Sequence, residues 1–163
     1  MSKKAKEYVL EDFYNAACQA RATMFWSWCI ASISVIGMEK TIEIMQLSGE
    51  EAGKKLAKYW LSYWGVDTMD TALVIETAEI IHGQVGYDAP WTIISSKEAY
   101  ETVVRCQIND LTPVEYKTKG IPKFRCRAVT ENLYPNLVNG TRIEVLGGMC
   151  EGREFCRFWI KPL

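Results

Sequence analysis

The stretch Trp91-Thr-Ile-Ile-Ser95-Ser-Lys-Glu-Ala-Tyr100-Glu-Thr-Val-Val-Arg-Cys-Gln107 is where the pattern of this chain changes. Two short runs, 91–95 and 100–107, are rich in β-branched and aromatic residues, and the polar Ser96-Lys97-Glu98 separates them. Residues of this kind fit a pleated, half-buried surface, so the pair predicts a β-hairpin. Two later runs, Thr141 to Leu146 and Phe155 to Ile160, read as further strands, with Gly147 and Gly148 opening their connection. Upstream the apolar period is helical. Phe13, Ala17, Ala20, Met24 and Trp28 recur every three or four positions and predict a helix from about Leu10 to about Ile36.

Gly37 marks a break, after which Met38 to Leu47 continues helically. Ser48-Gly49-Glu50-Glu51 has the capping-box pattern, so a new helix is expected to start there. It runs to Trp64, with Gly65 in the favoured terminating position and Ala52, Leu56, Tyr59, Trp60 and Tyr63 as its apolar stripe. Asp67 is read as the cap of a further helix reaching about Val85. Residues 109–120 are expected to be loop with one helical turn near Pro113, and Pro122 opens a helix to about Leu133 that Pro135 stops. Helices first and an antiparallel sheet later predict an α+β fold. At 163 residues it is expected to be one domain, its helical part spanning about 8–86 and its strand-rich part about 90–163.

A chain that is 48% hydrophobic and 24% charged is neither disordered nor fibrous in composition. The net charge of −1 predicts no general attraction to nucleic acid or to an anionic membrane. That charge is unevenly placed. Residues 39–101 hold 5 basic and 11 acidic groups, whereas 115–163 hold 9 and 5. Either these are two solvated faces, or the basic C-terminal part faces an anionic ligand. Tyr8-Val9-Leu10 is interrupted by Glu11 and Asp12, so no secretory apolar core forms there. The most apolar stretch, Ala22 to Met38, is 17 residues long and contains three serines and a glycine; it reads as a buried helix rather than a bilayer span. A soluble, cytoplasmic protein with reduced thiols is the expectation.

Motifs for phosphate, dinucleotide or serine-nucleophile chemistry are missing: there is no GxGxxG, P-loop or GxSxG. His82 is the only histidine, which excludes a three-histidine metal site. Cys18 and Cys29, eleven positions apart in the apolar first helix, read as small hydrophobes. Cys106, Cys126, Cys150 and Cys156 sit instead beside charged residues (Arg105, Arg125, Arg127, Glu151 and Arg157). Three outcomes stand open for them: separate thiols, a disulfide, or a metal site using at least three of the four. The metal would be zinc or an iron–sulfur cluster. No CxxC pair is present to favour a finger or ribbon. Six Trp and eight Tyr suggest a cavity with aromatic walls, for which Trp60, Trp64, Trp91 and His82 are the candidate ligand contacts, with Trp60 toward the core and Trp64 near the mouth.

The segment Gly140-Thr-Arg-Ile-Glu-Val-Leu-Gly-Gly-Met-Cys150-Glu-Gly-Arg-Glu-Phe-Cys156-Arg-Phe-Trp-Ile160 resembles the closing hairpin of the aminothiazoline-carboxylate hydrolase-like and vinyl-reductase-like (hydrocarbon-binding) group. The strand ending Val103-Val104-Arg105-Cys106, with Cys126 twenty residues on, is similar to that group as well. The resemblance covers about residues 100–163. It departs from the hydrolase-like members at Gln107, where they often carry proline. It implies a small-molecule-binding domain. By analogy with sensor members that hold zinc through cysteines and a glutamate, it also implies Cys126, Cys150 and Cys156 as ligands, with Glu144 or Cys106 as a fourth. The same broad fold serves vesicle-tethering subunits.

Three functions follow as expectations. The leading one is a domain binding a small apolar or aromatic molecule, with a cysteine-ligated metal site, and forming a homodimer. A second is a hydrolase of a small cyclic amide-like substrate, in which Cys106 or Cys126 is the nucleophile and the neighbouring arginines lower its pKa. A third is a partner-binding structural module without a cofactor.

Overall fold

The computed structural model describes residues 10–85, 87–117, 119 and 121–163, without the side chains of 10–14, 82–85, 87 and 122. Leu10–Ile36 forms α1. Gly37, at φ 82°, turns the chain into α2 (Met38–Trp64), a conformation that glycine adopts without steric penalty. At the far end Gly65 closes α2 in the left-handed region, its N–H reaching the carbonyls of Leu61 and Ser62.

No new helix begins at Ser48; α2 runs unbroken through the capping-box pattern. The reason lies in what crosses it. A Cβ on Gly49 would stand 2.8 Å from Ala128 Cβ, and one on Gly53 would stand 2.6 Å from the Val129 carbonyl oxygen. Residues 121–137 therefore press directly on the α2 backbone, and this packing holds helical a stretch whose local signal, a cap of about 1 kcal/mol, points the other way. The buried face is Thr41, Met45, Gly49, Gly53, Ala57 and Trp60. It replaces the expected aromatic stripe, since Tyr59 and Tyr63 are 58% and 60% exposed.

α3 (Thr71–Val85) starts three residues later than expected, because Asp70 rather than Asp67 caps it: the Leu73 N–H donates to Asp70 Oδ1 at 2.9 Å. β1 (Tyr87–Asp88) follows, then the hairpin of β2 (Trp91–Ser95) and β3 (Glu98–Val103). β3 ends short of Gln107. Arg105–Cys106 leaves the hairpin as β4 to pair with β1, and the expected loop then folds into two single turns, α4 (Gln107–Asp110) and α5 (Val114–Lys117). α6 (Ile121–Leu137) carries Pro135 inside its last turn instead of stopping before it. Leu133, Tyr134, Leu137 and Val138 are all buried there, and that burial outweighs the one N–H that proline removes. β5 (Thr141–Gly147), a 3₁₀ turn at Met149–Glu151 and β6 (Cys156–Pro162) complete the chain.

The antiparallel sheet has the order β2-β3-β6-β5, with Glu101 opposite Phe158 and Val103 opposite Cys156. Its inner face (Ala99, Glu101, Val103, Phe158 and Ile160) is buried. One core joins α2, α3 and α6 to the sheet through Trp60, Val74, Leu133, Leu137 and Ile160. A second, smaller core gathers Trp26, Cys29, Met45 and Ile121. The fold is α+β, helices first and sheet second.

Candidate functional site

Helix α6 presents two adjacent ridges at four-residue spacing, Arg125-Val129-Leu133 and Cys126-Thr130-Tyr134. Between them and α2 lies a cavity of about 240 Å³. Ala52 and Leu56 of α2, Arg21 and Phe25 of α1, Ile81 of α3, and Ile108 and Asn109 close its sides. All four cysteines of the second half line it: Cys106 from β4, Cys126 from α6, Cys150 from the 3₁₀ turn and Cys156 from the start of β6. The fold therefore brings together from four elements what the sequence spreads over fifty residues.

Local geometry positions the sulfurs. Cys106 caps α4, its Sγ accepting the Asn109 N–H at 3.4 Å, and Cys156 Sγ accepts the Met149 N–H at 3.2 Å. Gly148 has no side chain, and the Cys150 and Cys156 sulfurs flank the space one would take, at 3.3 and 3.6 Å from a Cβ built there. Gly152, at φ 81°, reverses the chain between the two cysteines.

The electrostatics favour neutral thiols. Burial holds the Cys126 thiol well above its usual range, and the neighbouring Cys106, Cys156, Cys150 and Glu101 add to it. Cys150 is pushed up to about 11 by burial and then by Cys156. Cys156 is also raised by burial, against the N–H bond from Met149. The arginines expected to activate Cys126 point elsewhere: Arg127 pairs with Glu131 at 2.6 Å, and Arg125 lies over the Phe25 ring at 5.4 Å. All six cysteines are thiols, and none is in a disulfide. Among the described residues no group of three or more His, Cys, Asp or Glu side chains is arranged to hold a metal ion as the side chains stand.

This raises a first expected result. An ordinary thiol titrates near 8.5, so at pH 8 a pKa of about 11 lowers the thiolate fraction by more than two orders of magnitude. Greater intrinsic nucleophilicity recovers part of that loss, leaving reaction of Cys150 with a disulfide reagent about twentyfold slower than free cysteine. The rate should rise about tenfold per pH unit toward pH 11. Measured on chelator-treated protein, a rate at pH 8 equal to that of free cysteine would show a solvated sulfur instead.

Sequence reasoning missed Glu101. It is 2% exposed on the inner face of β3 and accepts a hydrogen bond from the Tyr134 hydroxyl at 3.0 Å. The signal was available in the alternation Ala99-Glu101-Val103, which sets a carboxylate on the apolar face, where it is rarely found without a partner. Glu144, by contrast, is an exposed residue of β5 bonded to Lys161, and it is absent from the described lining of the cavity. Trp60 is buried in the main core, with Trp64 and Trp91 packed against that core. Trp64 donates to Thr77 Oγ1 at 2.9 Å, and none of these three tryptophans is among the cavity's described lining residues. His82 lies on α3, but its side chain is outside the described residues. A narrow space of about 60 Å³ past Cys126, Cys150 and Cys156 adjoins an open cleft of about 540 Å³ lined by Lys117, Lys119 and Lys123.

No family model matches the chain, and no curated protein is similar to it in sequence. Solved structures are similar in fold. One is a trafficking protein particle complex subunit 3 from Naegleria fowleri covalently bound to palmitic acid, with a TM-score of 0.63 and 14% identity over 91% of this chain and 96% of that one. Another is the phenol-responsive sensory domain of the transcription activator PoxR with phenol, with a TM-score of 0.54 and 14% identity over 89% of this chain and 74% of that one. At such identity the likeness is one of fold. No helix among the described residues is long and apolar enough to cross a membrane.

Proposed function

We propose that this chain is a small-molecule-binding domain whose ligand occupies the cavity between α2, α6 and the thiol cluster. The carrying observation is the cavity itself: about 240 Å³, walled by Ala52, Leu56, Ile81, Val129 and Leu133, with Arg21, Asn109 and Arg125 among its polar lining. Apolar walls with a few placed polar groups are the usual form of a ligand site. Support comes from the two similar folds, one carrying palmitic acid and the other phenol. The resemblance of the C-terminal hairpin to the vinyl-reductase-like group belongs to the same reading. Calorimetric titration with phenol and with 1-octanol checks it. Saturable binding of at least one probe is expected, with its loss in Leu56→Trp, which fills the cavity. Failure of both of these, and of octanoate as well, to bind protein that circular dichroism shows to be folded would sink the reading.

A cysteine-ligated zinc at Cys126, Cys150 and Cys156, with Cys106 as the fourth ligand, is the second reading. Its support is the shared lining and the N–H donors already aimed at Cys106 and Cys156, which favour thiolates. The side chains must rotate inward to bring the sulfurs within the ~2.3 Å that a Zn–S bond requires. When bound, the metal would replace the burial-raised thiols with coordinated thiolates and tie the 3₁₀ turn to α6. About one zinc per purified chain supports it, visible absorption points to an iron–sulfur cluster instead, and metal-free protein removes it. The hydrolase reading is the weakest, because burial works against the thiolate that a Cys126 nucleophile needs.

A further inference from the structure

The polar side of the cavity has a chemical sense of its own. Arg21 and Phe25 are one turn apart on α1, the Arg125 guanidinium lies over the Phe25 ring, and all three residues line the cavity. Among the described residues no ion pair joins either arginine to a carboxylate, although exposed Lys–Glu and Arg–Glu pairs occur elsewhere on the surface. Asn109 lines the same cavity. It is 8% exposed, and its Oδ1 is buried without a hydrogen-bond partner. Trp26 fixes its neighbour by donating to the Ile108 carbonyl at 3.2 Å, so this amide sits on an anchored segment. A buried acceptor left unpaired costs free energy that a ligand's donor recovers.

Resting on the binding reading above, we infer that the ligand is an amphipathic monoanion. Its acidic head lies between Arg21 and Arg125, a hydrogen-bond donor beside that head meets Asn109 Oδ1, and its apolar body runs along Leu56, Val129 and Leu133. Arginine suits this task because its planar fork matches a carboxylate and stays charged at any working pH. The volume, equal to about eight waters at roughly 30 Å³ each, suits a molecule of order ten non-hydrogen atoms.

Calorimetric titration of the full chain with octanoate, 3-hydroxyoctanoate and 1-octanol tests this. Octanoate is expected to bind about tenfold more tightly than 1-octanol, as charge-assisted hydrogen bonds imply, and 3-hydroxyoctanoate more tightly again. Arg21→Gln and Arg125→Gln should each weaken octanoate and leave 1-octanol unchanged, while Asn109→Leu should erase the gain from the 3-hydroxyl. Should Arg125→Gln fail to fold, Arg21→Gln, at an exposed position, and the wild-type ratio of octanoate to 1-octanol still decide. Equal affinity for octanoate and 1-octanol, or arginine variants that bind octanoate as wild type does, overturn the anion site while the cavity reading stands. Binding of none of these probes, nor of phenol, fells the cavity reading itself.

Discussion

Replacing Trp26 by alanine is expected to lower stability by about 3–5 kcal/mol, a large share of the roughly 5–15 kcal/mol that holds a domain together. Trp26 is buried in the smaller core with Cys29, Met45 and Ile121. Its ring stacks on Tyr116 at 5.9 Å between centroids and meets the edge of Phe25 at 5.2 Å. Its indole N–H also donates to the Ile108 carbonyl, which the Thr112 hydroxyl bonds as well, so truncation leaves a void and removes one of that carbonyl's two hydrogen bonds. Trp26→Phe keeps most of the ring, loses the N–H bond while Thr112 still satisfies the carbonyl, and should cost about 0.5–1.5 kcal/mol. Urea unfolding followed by circular dichroism measures both. Because Ile108 and Asn109 line the cavity, Trp26→Phe should also weaken ligand binding in protein that remains folded. A Trp26→Ala variant within 1 kcal/mol of wild type would show that α1 is not pinned to the α4–α5 segment through this ring.

The second large effect is expected at Gly53. An added methyl would lie 2.6 Å from the Val129 carbonyl oxygen and 2.9 Å from Asn132 Cβ, neither of which can yield without moving α6. Overpacking of this kind costs up to about 3 kcal/mol, offset by about 1 kcal/mol of improved helix propensity. A net loss of about 2 kcal/mol corresponds to a thermal midpoint lower by about 4–8 °C for a chain of this size. Exposed Glu50, one turn away on α2, serves as the control, and Glu50→Ala should stay within about 0.5 kcal/mol of wild type. An unchanged or raised midpoint for Gly53→Ala would mean that the two helices are free to separate. The same shift of α6 would displace Val129 and Leu133 and so reshape the cavity.

How much of the site was legible depended on whether its members announce themselves locally. Cys106, Cys126, Cys150 and Cys156 stood out by type and by charged neighbours, and the structure sets all four around one cavity. The tryptophans misled for a related reason. Residue type marks Trp60 and Trp91 as aromatic wall, but which face of α2 or of the sheet meets the cavity depends on where α6 crosses. That crossing places Trp60 in the core and leaves Leu56 and Ala52 to line the space. Arg21 and Asn109 carried no sequence signal beyond ordinary polarity, and Arg125 stood out only as a charged neighbour of Cys126. Their interest as a group arises only because three distant elements, α1, α4 and α6, bring them to the lining of the same cavity.

By itself the sequence determined the class of fold and the order of its parts. Three- and four-residue apolar spacing gave α1 its expected span, and β-branched runs around Ser96-Lys97 gave the hairpin, because periodicity and turn chemistry are properties of neighbouring residues. Glycine at 37 and 65 ended helices for the same local reason, a positive φ that other residues resist. Tertiary structure decided the rest. Whether Ser48 starts a helix, whether Pro135 stops one, and which face of α2 is buried were all settled by the close crossing of α2 and α6. There the free energy of burying many side chains exceeds the roughly 1 kcal/mol that a local cap contributes. The cavity lies beside that same crossing, where Gly49 and Gly53 let the two backbones meet and Ala52, Leu56 and Val129 line the space.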